Sequence, residues 1–385
     1  MRANSATTIA STPYRAGLDL GEALRDTGPE VVFLFSSIHY AGNGDLLEGL
    51  YDGIGRDDLI VIGSTGDGFY GSGEVGEMGA SALALNSDQQ VRWHLTYAKG
   101  LGQDSEATTR AVLNQMQSKL GNKKAAFMYM ASDFRVDASD IEKVLGKETH
   151  VPVVGALAAD DNQMISCAVY ANREILEDGI ALLAAEGPVS FQIHVANALS
   201  PIGHAGIINA AEGSHIHQIN DVPAMDYIVA ETGKPVLHSD RGIASLAIIN
   251  SDEPDVKRLR SIVPKYSVDE GSLGLYGGIE VGCKVQVCLA EPHRLIEELH
   301  KLTADIKVSG FQPAAALLIS CVGRKVVLGD QVDQEVGAVS DSFGKTLPLA
   351  GCPSFGEIGP MRTATGYSKN LFHNMTYILL LIGKT

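Results

Sequence analysis

The sequence predicts an α+β fold of mixed, largely antiparallel sheets flanked by helices and built from two pseudo-related halves. One arrangement recurs along the chain: a buried strand, usually a helix, a second strand ending in glycine and a polar loop, then a strand opened by glycine. The 42 glycines among 385 residues place much of the chain in tight turns between strands. The stretch from Ile165 to Asn197 reads as several short strands in succession, which favours antiparallel neighbours over a doubly wound parallel sheet.

Taken in order, Thr12 and Pro13 open a helix, as cap and first position. The first copy of the repeat has strands at Val31–Ser37 and Leu59–Gly63, a helix near Leu46–Tyr51, the loop Ser64–Gly68 and a last strand at Gly79–Leu85. The second has strands at Ala125–Met130 and Val151–Gly155, a helix near Ile141–Leu145, the loop Ala156–Asn162 and a last strand at Asp178–Leu183. A weaker, helix-less copy runs through Ala244–Ile249, Ile262–Asp269, Gly271–Gly278 and Lys284–Leu289. The C-terminal copy has strands at Ala315–Cys321 and Leu347–Gly351, a helix near Val332–Phe343, the loop Cys352–Gly359 and a last strand at Thr376–Ile382. Four copies in two pairs predict domains over residues 1–220 and 221–385, joined within Ile202–Pro235.

Composition excludes several partners. With 30 basic against 46 acidic residues, a net charge of −16 and no basic cluster, the chain repels nucleic acid and anionic membranes. Neither the N-terminal residues nor the apolar run Tyr377–Ile382 approaches the roughly 20 residues that span a bilayer, so no anchor or export signal is expected. Five cysteines, at 167, 283, 288, 321 and 352, form an odd set without a CxxC, which fits a reducing compartment and hence the cytoplasm.

Motifs for cofactors and metals fail on context. Gly66–Gly71 matches GxGxxG after a strand, but the glycine-rich Ser72–Gly79 that follows cannot open a helix to hold a pyrophosphate. There is no Walker lysine and no GxSxG. His215 and His217 share a strand face without a third ligand near in sequence, and Asp160–Asn162 reads more simply as a solvated turn than as a hard-cation site. Cys283 and Cys288, five apart, face opposite sides of a strand. No cofactor and no metal is expected.

The chemistry gathers near the C-terminus. Arg324, just past an apolar strand, offers a planar fork for a ligand carboxylate, or else a structural partner for Glu357. Glu357 lies between Gly356 and Gly359, where a carboxylate would suit a ligand ammonium or satisfy its own turn. His373 and Asn374 bring donors and acceptors, Asn374 being the simpler to explain as a bond to neighbouring backbone. Cys321 and Cys352 read first as packing residues, and as nucleophiles only if exposed at one mouth.

Several of these segments carry a family resemblance: Ile62–Thr65, Val153–Gly155 with Asp160 and Asp161, Pro201–Gly203, Gly271–Leu273, Cys321–Arg324, Gly356–Pro360, and His373 and Asn374 with Thr376. On these the chain resembles FIST-domain proteins over nearly its whole length, with an N-terminal and a C-terminal half. The resemblance implies an intracellular sensory module acting in signal transduction, one that binds small ligands such as amino acids. The chain shows no kinase, PAS, methyl-accepting or F-box segment, so its output partner would be a separate signalling protein.

Repeat position and resemblance together nominate Cys321, Arg324, Cys352, Ser354, Glu357, His373 and Asn374 for a pocket that binds a small polar metabolite. Thr65 and Asp160 would contribute from the other half. Two other readings stay open. One is a cysteine-dependent hydrolase or transferase with Cys321 or Cys352 as nucleophile and His373 as base. The other is a protein-interaction scaffold.

Overall fold

In a computed structural model of the chain, residues 1–237, 242–249, 256–263 and 271–383 are described. Mixed and antiparallel sheets packed with helices give the expected α+β fold. Part of the segment anticipated at Ile262–Asp269 lies outside the described residues.

Three equivalent units recur within this fold. Each runs through an edge strand, a helix, a leading strand, a second helical stretch, a following strand parallel to the leading one, a two-stranded hairpin and a return strand. In the first unit the leading, following and return strands are Val31–Ser37, Ile60–Gly66 and Ala80–Asn86. In the second they are Ala125–Ser132, Val153–Leu157 and Gly179–Glu186. In the third they are Pro313–Cys321, Leu349–Ser354 and Tyr377–Gly383. The parallel pairing follows from the helical connection, which carries the chain back to its starting end.

Each sheet has six strands, and each completes itself with a hairpin from another unit. The hairpin Phe69–Gly71/Glu74–Gly76 of the first unit joins the third sheet at Ala350 and Gly351. The second unit's hairpin, Val169–Ala171/Glu174–Leu176, joins the first sheet. Gly356–Gly359 and Leu371–His373 of the third unit join the second. This cyclic exchange ties each unit to the other two. The edge strand Phe191–Ala196, early in sequence, likewise pairs with Tyr377–Gly383 at the C-terminus.

The registers coincide. Leu34 pairs with Gly63, Met130 with Gly155 and Leu318 with Gly351, and at each glycine a Cβ would collide with the facing carbonyl oxygen. Inner faces of the three sheets share one apolar core around Phe33, Phe127, Tyr129, Leu317 and Ile378. Outer faces are covered by each unit's own helices. Pro13–Leu24 and Asp45–Ile54, for instance, pack so closely that Gly17 and Gly49 have no room for a methyl group.

The weaker fourth copy is not a repeat. Ala244–Ile249, Arg258–Val263, Leu273–Leu275 and Lys284–Leu289 belong to a separate antiparallel sheet, inserted between the third unit's edge strand and its first helix, Pro292–Val308. This sheet has its own small core around Ile216, Leu246, Ile262 and Val287. Arg260 fastens it to the body, donating to the Phe372 carbonyl at 2.8 Å and to Glu142 at 3.0 Å.

The GxGxxG stretch forms the hairpin after Gly66 and no helix follows. Ile216 is buried between a partly buried His215 and an exposed His217, so that strand face does not gather ligands. Among the described residues no helix is long and apolar enough to cross a membrane.

Candidate ligand-binding site

A groove of about 360 Å³ lies between the body and the inserted sheet, walled by Phe134, Phe355, Phe372 and Tyr276. It shares Met164, Tyr276 and Phe355 with a narrower cavity of about 40 Å³ whose floor is Cys321, Ser354 and Asn374. The second space holds little more than a water or a small polar head group. Phe134 and Phe355 meet edge to face, with ring centroids 4.8 Å apart. A second cleft of about 490 Å³ runs beneath the helix Ala138–Glu148. Some of its charges bind one another, Lys143 to Asp140 and Arg258 to Glu142, each at 2.8 Å, Lys147, Glu280 and Lys369 also line it, and none of the residues nominated from sequence does.

Three of those nominated residues therefore border the groove's inner end: Cys321, Ser354 and Asn374. Glu357 lies directly behind them. It is fully buried, accepting from the Ser354 hydroxyl at 2.8 Å on one oxygen and from the Thr376 hydroxyl at 2.7 Å on the other. Burial drives its pKa up to about 8, against the pull of the Thr376 and Ser354 hydroxyls and of the Arg324 charge. The residue sits in a strand, not in the anticipated loop. Its flanking glycines answer to packing, since a methyl group would press on the Phe372 ring at Gly356 and on Ile378 at Gly359.

The threefold repetition isolates what is special here. Tyr170 faces Gly63, Tyr70 faces Gly351 and Ile358 faces Gly155, and the residues just before them are Val169, Phe69 and Glu357. Three positions beyond the equivalent glycines stand Gly66, Ala158 and Ser354. Immediately before the return-strand residues paired with Ser36, Ser132 and Ser320 stand Gly79, Gly179 and Thr376. The fold thus accommodates apolar residues or glycine at all three places, and only the third unit fills them with a carboxyl and two hydroxyls. Architecture does not require this cluster.

Arg324 is placed differently from expectation. It lies in a short helix, Val322–Leu328, fully buried, and its Nε donates to Glu335 at 2.8 Å rather than to Glu357. Glu335 also accepts from Tyr70 at 2.8 Å and from Ser320 at 2.9 Å. Among the described residues, Nη1 and Nη2 of Arg324 meet no acceptor, and the guanidinium lies 5.7 Å from the Tyr377 ring centroid. Neither Arg324 nor Glu357 reaches the cavity wall. The sequence reading had no route to Glu335, which arrives from a second helix, Gln334–Phe343.

The remaining candidates each have partners within the protein or lie in its core. His373 donates from Nε2 to the Gly359 carbonyl at 2.9 Å, and burial lowers its pKa to about 4, so the ring is neutral. Asn374 accepts from the Ser261 amide at 3.1 Å and so ties the inserted sheet to the third unit. Thr65 exchanges bonds with Ala168. Asp160 accepts from the amides of Gln163, Met164, Ile165 and Ser166, which makes it the organiser of its own loop. Cys352 is fully buried in the shared core, away from the groove.

Burial raises both thiol pKa values well above the ordinary cysteine value, and Glu357 raises them further. Neither cysteine is set up as a nucleophile. Iodoacetamide at neutral pH is expected to leave Cys321 and Cys352 unmodified in the folded protein over a time that alkylates both in urea, as read by intact mass and peptide mapping.

Comparison with known proteins places the chain beside several matches. The FIST N domain matches residues 11–222 and the FIST C domain residues 238–360. An uncharacterized protein of Methanocaldococcus jannaschii is 23% identical over 223 residues, 55% of this chain and 43% of that protein, so the chain matches less than half of its relative's length. Among solved structures, the cyanuric acid hydrolase of A. caulinodans aligns over 100% of this chain and 99% of its own, at 8% identity and a TM-score of 0.34. Phosphoribosylformylglycinamidine synthase II of Thermotoga maritima aligns over 100% and 72%, at 10% identity and a TM-score of 0.19. The two domain matches together cover most of the sequence, and the chain belongs to the FIST family, whose domains are sensory, ligand-binding modules of signalling proteins.

Proposed function

We propose that this protein is a cytoplasmic sensor whose ligand, a small metabolite, seats in the groove between the third unit and the inserted sheet. The observation that carries the reading is the Ser354–Glu357–Thr376 cluster, placed behind the groove's inner end where the other two units carry glycine or apolar residues. A costly buried carboxyl with no architectural duty, next to an aromatic-walled cavity, is what a binding site leaves in a fold. Because the groove is walled by both the body and the inserted sheet, a ligand bridging them favours one arrangement of the two over others. That differential affinity is what a separate signalling protein would read.

The test is a thermal-shift screen of amino acids and related metabolites against the wild type and Val326→Trp. Val326 is about half exposed on the cavity rim, so the substitution blocks the cavity without disturbing the core. A ligand at 100 times its Kd adds about 2.7 kcal/mol to the wild type. The account expects that gain to vanish in V326W; a stabilising ligand that binds both proteins equally would contradict it.

A further inference from the structure

The chemistry of the inner end narrows the ligand class. Asn374 has its oxygen engaged by the Ser261 amide and one of its two amide protons by the His373 carbonyl at 3.2 Å. Ser354 spends its only proton on Glu357, which leaves the lone pairs of its oxygen on a residue that lines the cavity. Cys321 presents a protonated thiol. Arg324 stays behind the wall, paired with Glu335, and Glu357, also behind the wall, is protonated and therefore neutral, so neither offers an occupant a counter-charge. An ammonium or carboxylate pushed into this end would lose its water without finding a counter-charge. The walls beyond are largely aromatic and suit a flat apolar body, and the two charges among them are already engaged, Arg135 by Asp133 and Asp137 by the amides of Ser139 and Gly278.

We infer that the ligand is an uncharged planar aromatic molecule that enters the groove ring-first and donates an N–H to the Ser354 oxygen, which relays the bond to Glu357. The inference rests on the sensor reading above and specifies its occupant. An aromatic ring of this kind lies among Phe134, Phe355 and Tyr276 while its N–H reaches the narrow end. A zwitterion carrying the same ring has nowhere to put its charges at that end.

Isothermal titration of the full chain with indole, benzofuran and tryptophan separates ring, donor and charge. Indole is expected to bind about tenfold or more tightly than benzofuran, which lacks the N–H, and than tryptophan, which adds the charges. Ser354→Ala should reduce the indole preference over benzofuran to near unity, and Val326→Trp should abolish binding of indole. Tryptophan binding as tightly as indole, benzofuran matching indole, or no heat from any of the three would overturn the ligand class. The sensor reading fails separately, if no compound in the wider screen gives a stabilisation that V326W removes.

Discussion

Glu335→Ala is expected to lower the unfolding free energy by about 3–5 kcal/mol, because it removes the only acceptor that the described residues offer a fully buried guanidinium. Three donors lose their partner together: Arg324, Ser320 and Tyr70. Tyr70 comes from the first unit's hairpin, Ser320 and Arg324 from the third unit, so the loss also weakens the exchange of hairpins that closes the fold. Urea unfolding followed by circular dichroism measures it. The paired variant Arg324→Met with Glu335→Leu should recover much of the loss, since well-packed apolar residues often replace a buried ion pair without penalty. A change below about 1 kcal/mol in E335A would show that the pair is not dry.

Glu357→Gln is expected to reshape the dependence of stability on pH. The folded carboxyl holds its proton up to about pH 8, whereas the unfolded chain releases it near the ordinary value of 4.5. Between those values the folded state binds the extra proton, so wild-type stability falls as pH rises through the window. Groups facing Glu357 from the neighbouring elements are Arg324 on its helix, Cys321 and Cys352 on the parallel strands and His373 across the antiparallel pair. His373, lowered by burial from its ordinary value of 6.5 to about 4, contributes equally to both proteins and cancels in the comparison. Relative to wild type, E357Q should gain about 3–5 kcal/mol between pH 4 and pH 8.5. Parallel curves for the two proteins would mean that the carboxyl is solvated.

The three true repeats were legible because a strand that must pair in parallel and pass a carbonyl closely needs glycine at one register, and Gly63, Gly155 and Gly351 mark it. The inserted sheet was mistaken for a fourth copy because alternating apolar strands with glycine turns look alike whether or not a helix intervenes. Hairpin exchange had no local signature at all, since Tyr70 and Gly351 are brought together by topology. The same limit separated the candidate residues. Ser354 and Glu357 are three apart in one segment, whereas Arg324 and Glu335 sit on two different helices and no spacing pairs them. The groove walls Phe134, Tyr276 and Phe372 come from three distant segments, and no spacing announces them.

Hydrogen exchange with and without a stabilising ligand tests the central claim most directly, because it reports where the protein tightens. The account predicts slowed exchange at Phe134–Ala138, at Leu275–Gly277 and around Phe355, the segments that wall the groove. Protection confined to Asp140–Lys147 and Lys369, under the other cleft, would place the ligand elsewhere and contradict the account.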